Sequence, residues 1–171
     1  MAIEFPRIPS DPKSIELISN MNDFAVFMLM GSNESTRVKK VAGIFHTLAT
    51  NIYDNDYIYF RIYQAICGDY QNLTEWYNYK IWAEGEEFML ETLEREAEDF
   101  LPLLMPFQIT MRMFVDKAKS DKSWEPLSSI WWTIWTCMYD SKKMDKLIDD
   151  FERVINDIDD DLDQQRKAML N

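Results

Sequence analysis

Glycine, cysteine and histidine are scarce in this 171-residue chain, at four, two and one residues respectively. Four glycines leave little material for phosphate-cradling loops. No phosphate loop, dinucleotide-binding glycine run or glycine-flanked serine elbow occurs. With His46 as the only histidine, metal sites built on several imidazoles are excluded, and any Ser-His-Asp arrangement must pass through that residue. Its neighbours Phe45 and Leu48 place it beside an apolar helical face, so a partly buried ring donating to a backbone carbonyl is expected rather than a catalytic base. Cys67 and Cys137 show neither a pairing motif nor close metal-ligand spacing and read as buried thiols.

Long apolar runs and positive charge are also in short supply. The longest strongly apolar segment, Leu127 to Tyr139, spans 13 residues and includes Ser and Thr. That falls short of the roughly 20 residues a membrane-crossing helix needs, so no membrane span is expected. The opening Met-Ala-Ile-Glu-Phe-Pro has neither the basic start nor the apolar run of a secretory signal, which predicts a cytoplasmic location. Eighteen Lys and Arg stand against thirty Asp and Glu, a formal charge of −12. The mean field therefore opposes direct nucleic-acid binding and favours basic protein surfaces as partners.

What the chain has in quantity is core material. Apolar residues make up 47%, including six Trp, eight Tyr, ten Phe and eleven Met, which argues against wholesale disorder. The length predicts one helical domain over residues 13–171, preceded by an extended, proline-rich arm over residues 1–12 that lies on the fold through Ile3, Phe5 and Ile8.

Helical periodicity runs through most of that domain. Ile15, Ile18, Met21, Ala25 and Met28 mark the core face of a first helix that stops near Gly31. Val38, Val41, Phe45, Leu48 and Ile52 mark a second, whose start is crowded by Arg37, Lys39 and Lys40. Cations there oppose the helix dipole, so solvent screening or an acidic neighbour is expected. Tyr57 to Cys67 carries both alternation and helical spacing. Helix is preferred, because a lone strand has no evident partner. Further helical stretches run from Leu73 to Leu101, from Phe107 to Ala118 and from about Ser123, with Pro126 in the first turn of the last. Pro102 and Pro106 bracket a short connector. Ile148, Phe151, Ile155, Ile158, Leu162 and Met169 then occupy seven-residue-spaced positions, with Gln165 in one apolar slot, and define a long amphipathic helix from about Ser141 to Ala168. The expected fold is all-α, a compact bundle of six or seven helices with that long helix at its C-terminal end.

Carboxylates are the only chemistry present in bulk. Glu84 to Asp99 and Asp149 to Asp163 each hold eight acids and one Arg, a formal −7 apiece. One reading pairs Glu84 and Glu87 with Asp145 and Asp149 from a second helix around Mg²⁺, a hard cation that prefers oxygen ligands. Glu84 and Glu87 resemble the first half of the site in all-helical nucleotide pyrophosphatases, which implies a Mg-dependent hydrolase. A matching second half at close spacing is missing, as is a clear Asn and Lys substrate pattern.

The preferred reading is a regulator or assembly subunit that needs no cofactor and binds a basic protein surface, in its sharpest form an inhibitor whose acidic stripes mimic nucleic-acid charge. Its expected contact residues are Glu84, Glu87, Glu91, Glu94, Glu98, Asp157 and Asp160, with Trp132 as an exposed aromatic anchor. The Ile148, Phe151, Ile155, Ile158 and Leu162 seam is the expected contact of a homodimer if it stays exposed.

Overall fold

The computed structural model describes residues 5–31, 35–68, 98–138 and 140–170. Among them every regular element is helical: six α-helices and two short 3-10 helices, with no strand. No helix among these residues is long and apolar enough to cross a membrane.

Local chemistry sets the helix boundaries. Helix α1, Pro12–Gly31, starts where the Asp11 carboxylate accepts from the Ser14 N–H at 3.3 Å and from the Ser14 hydroxyl at 2.6 Å. Proline at the first position loses no hydrogen bond there. Ser35 caps α2, Thr36–Asn51, by accepting the Val38 N–H at 3.2 Å. Asn55 does the same for α3, Asp56–Cys67, through the Ile58 N–H at 3.4 Å. The Tyr57 to Cys67 stretch is thus helical, burying Tyr59, Ile62 and Tyr63, and it ends at Gly68 with φ +73°.

A 3-10 helix, Glu98–Leu103, leads directly into α4, Leu104–Ser120. The connector expected between Pro102 and Pro106 is itself helical. Pro106 sits in the first turn of α4, where its missing N–H is not needed, so the helix begins before Phe107. Asp121 caps the second 3-10 helix, Lys122–Trp124, by accepting the Ser123 N–H at 3.0 Å. Helix α5, Glu125–Cys137, follows with Pro126 in its first turn. The last helix, α6, spans Ser141–Leu170, and Asp140 accepts the Lys142 N–H at its start.

Helix α5 lies at the centre of the packing. All ten residues from Pro126 to Trp135 are buried, so this stretch of the helix has no solvent-facing side. Trp131 stacks on Phe45 with ring centres 3.9 Å apart, and Phe24, Phe107 and Phe114 lie against the same indole. One aromatic cluster therefore joins α1, α2, α4 and α5. Trp132 is only 9% exposed and supplies core area, which corrects its expected role as an exposed anchor.

Two smaller expectations also change. Ile15 faces solvent at 48% exposure, so the core face of α1 is narrower at its start than the spacing predicts. His46 is exposed, and its Nδ1 donates to Asn22 Oδ1 at 2.8 Å, not to a backbone carbonyl. The segment ahead of α1 packs as expected through Phe5 and Ile8. Phe5 meets the Tyr59 and Phe60 rings edge-on, Ile8 is buried, and the Tyr53 hydroxyl donates to the Pro9 carbonyl at 3.1 Å. Ile3 lies outside the described residues.

Candidate protein-docking surface

Helix α6 divides into two halves with different surroundings. Along its first half, Met144, Leu147, Ile148, Phe151 and Ile158 are buried against the rest of the chain. Carboxylates flanking that apolar seam meet cations from two other helices. Arg37 Nε lies 3.4 Å from Asp145, Lys40 Nζ lies 3.2 Å from Glu152, and Arg61 approaches Asp157 to 3.9 Å. The cations at the start of α2 thus do have an acidic neighbour, and it is α6. Exposed pairs of this kind contribute roughly 0–1 kcal/mol each, so they set the alignment of α6 more than they hold it.

Beyond Ile158 no residue of the same helix is buried. Every residue from Asp159 to Leu170 is exposed, including Leu162 at 45% and Met169 at 87%. Asp159, Asp160, Asp161 and Asp163 fall within little more than one turn, and none meets a cation among the described residues. An open groove of about 500 Å³ runs beside this end, walled by Asn55 and Tyr57 at the start of α3 and by Ile158, Asp161, Leu162 and Gln165 of α6. Tyr57 is held by Arg61, whose Nη1 donates to its hydroxyl at 2.6 Å. A second groove of about 400 Å³ separates Gly43 and Thr47 of α2 from Ile155 and Asn156 of α6.

The expected contact residues fare unevenly. Glu84, Glu87, Glu91 and Glu94 lie outside the described residues. Glu98 is exposed on the first 3-10 helix, beside Asp99, whose carboxylate accepts from the Ser35 hydroxyl. Asp157 and Asp160 are exposed on α6. The expected dimer seam is divided: Ile148, Phe151 and Ile158 are buried within the chain, Ile155 is half-buried, and only Leu162 is open. A dimer contact along its whole length would require α6 to leave its own fold. Asp145 is engaged by Arg37, Asp149 is exposed, and no group of three or more potential metal ligands occurs among the described residues.

Both cysteines are half-buried, less than the sequence leads one to expect. Burial pushes the Cys67 thiol up to about 12, against a smaller opposing effect of the Thr133 hydroxyl 3.3 Å away. Burial likewise raises Cys137. Both thiols are free and stay protonated near neutral pH.

Helical periodicity does not foretell two exposed apolar features. The end of α1 exposes Val26, Phe27, Leu29 and Met30, and α4 exposes Met105, Ile109 and Met113 at four-residue intervals along one face. The uncharged run from Phe24 to Gly31 was the available signal for the first, since it holds more apolar residues than one helix face can bury. No protein-family model, curated protein or solved structure matches this chain.

Proposed function

We propose that this protein works by binding a basic partner protein, as a regulator or assembly subunit, and that the contact centres on the free end of α6. One observation carries the reading. Asp145, Glu152 and Asp157 meet cations of the chain itself, whereas Asp159, Asp160, Asp161 and Asp163 crowd together on exposed helix and meet no cation among the described residues. Like charges so close repel one another, and a cationic partner would relieve that repulsion. The overall −12 charge would steer such a partner from a distance, with strong sensitivity to salt.

In this reading the helices form one compact bundle over residues 13–171 and the protein works in the cytoplasm. The nucleic-acid-mimic form needs a second acidic stripe at Glu84 to Asp99, so the weight falls on α6 alone.

The test is affinity capture from the native cell at low and moderate salt, followed by a purified binding assay with the best basic partner. Reversing Asp159 and Asp160 to Lys should weaken that complex at least tenfold while helical content stays unchanged. If no discrete partner survives purification, and the protein instead hydrolyses a nucleotide with Mg²⁺ in a manner lost on neutralising Glu84 and Glu87, the hydrolase reading replaces this one.

A further inference from the structure

Building on the proposal that the end of α6 binds protein, we infer that the partner element is an amphipathic helix with Lys or Arg on both flanks of its apolar stripe, laid along Leu162 to Met169. The first half of α6 already meets cations from helices of its own chain on both flanks. There the seam of Met144, Ile148, Phe151 and Ile158 is covered, Asp145 and Glu152 on one flank receive Arg37 and Lys40, and Asp157 on the other receives Arg61. Those cations come from α2 and α3, whose own apolar residues Val38, Val41, Tyr59 and Ile62 are buried.

The second half repeats this arrangement with no occupant among the described residues. Leu162, Gln165 and Met169 continue the seam at alternating intervals of three and four residues. Asp159 stands seven residues beyond Glu152, hence on the same flank, and Asp163 follows it one turn later. Asp161 stands four residues beyond Asp157, on the opposite flank. Apolar and acidic positions therefore recur in the register that α6 already uses to seat basic helices. On one side the α3 groove beneath Tyr57 gives an apolar side chain room to enter beside Ile158 and Leu162.

Charge decides between possible occupants. A second copy of this chain would bring the same four carboxylates to the seam, against two cations, Arg166 and Lys167, on that stretch of helix. A neutral apolar helix would leave the acidic flanks unanswered, and an unstructured polycation would leave Leu162 and Met169 uncovered. A helix combining an apolar stripe with flanking cations satisfies both features.

The experiment uses the full chain and two synthetic peptides of about 18 residues, long enough to hold a docked helix. One places Leu at helical intervals with Lys on both flanks, and the other scrambles the same composition. The amphipathic peptide should bind at least tenfold more tightly than the scramble and gain helical signal on binding. Leu162→Ser should remove most of that preference, and Asp159→Asn with Asp163→Asn should weaken binding tenfold, while Asp149→Asn leaves it unchanged. Equal binding of the two peptides, with Leu162→Ser silent, overturns the helix inference and leaves the basic-partner reading standing. Absence of binding by either peptide at low salt overturns both. Sedimentation showing a dimer that Leu162→Ser abolishes would put a second copy in the slot and overturn the inference.

Discussion

Phe45 of α2 and Trp131 of α5 stack with ring centres 3.9 Å apart and planes inclined by 24°. Both side chains are fully buried, and the indole also contacts Phe24, Phe107 and Phe114, so this pair is where four helices converge. Trp131→Ala removes the shared partner of all four phenylalanines and should destabilise the protein by roughly 3–5 kcal/mol. Leu162→Ser, at an exposed position, should change stability by about 0.5 kcal/mol or less. Urea unfolding of the two variants beside the parent checks the contrast. Similar losses would mean that the end of α6 is packed after all.

Glycine substitutions should move stability in opposite directions at two positions. Gly68 ends α3 with φ +73° and ψ −138°, a conformation that side-chain-bearing residues rarely adopt. A methyl group there would meet nothing within 4 Å, so the whole cost of Gly68→Ala is backbone strain, about 1–3 kcal/mol. Gly43 lies inside α2, and a methyl group there also meets open space. Gly43→Ala should stabilise by roughly 0.5–1 kcal/mol, because alanine restricts the unfolded chain and favours helix. Thermal unfolding of both variants gives the signs directly.

The thiol of half-buried Cys67 predicts a pH dependence with a definite sign. Burial raises Cys67 from 9.0 to about 12 in the folded state. Between those values the folded chain holds a proton that the unfolded chain has released, so the stability linked to this thiol is fully present below pH 9.0 and is lost as pH climbs toward about 12. Cys67→Ser should flatten that alkaline decline in a denaturant series. Alkylation of Cys67 at pH 8 should also be slow in the native protein and fast in urea. Rapid native labelling would contradict the burial.

How much of this was legible in the sequence depends on what each signal encodes. Asn55, Pro126 and Gly68 act through their immediate neighbours, so helix starts and stops could be read from them. The run Pro126–Trp135 was readable as the centre of the core from its dense Leu, Ile and Trp content and its lack of charge, and the cations at Arg37 and Lys40 called for solvent screening or an acidic neighbour, of which α6 supplies the second. Periodicity names the face of α6 that buries apolar area, but not what covers it. Ile148 and Leu162 share one stripe in the sequence, and only tertiary packing separates the buried residue from the open one. The same limit explains Trp132: two adjacent tryptophans on one helix suggest that one is exposed, yet a helix surrounded by others can bury both.

The division within α6 should be measurable as a step in amide exchange. Residues Met144 to Ile158 carry the buried positions of this helix and its ion pairs to α2 and α3, so opening their backbone disrupts the packed core. From Asp159 to Leu170 every residue is exposed, and clustered carboxylates repel one another across neighbouring positions. An isolated helical stretch of that length is marginal in water, so its amides should exchange far faster than those before Ile158. The acidic cluster adds a second expectation: Asp159→Asn with Asp161→Asn removes part of this repulsion and should slow exchange in this segment. A docked cationic helix should do the same at neutral pH, with protection appearing first around Leu162. Uniform protection along all of α6 in the free protein would mean that its end is held by contacts of its own, and the slot for a partner would then be closed.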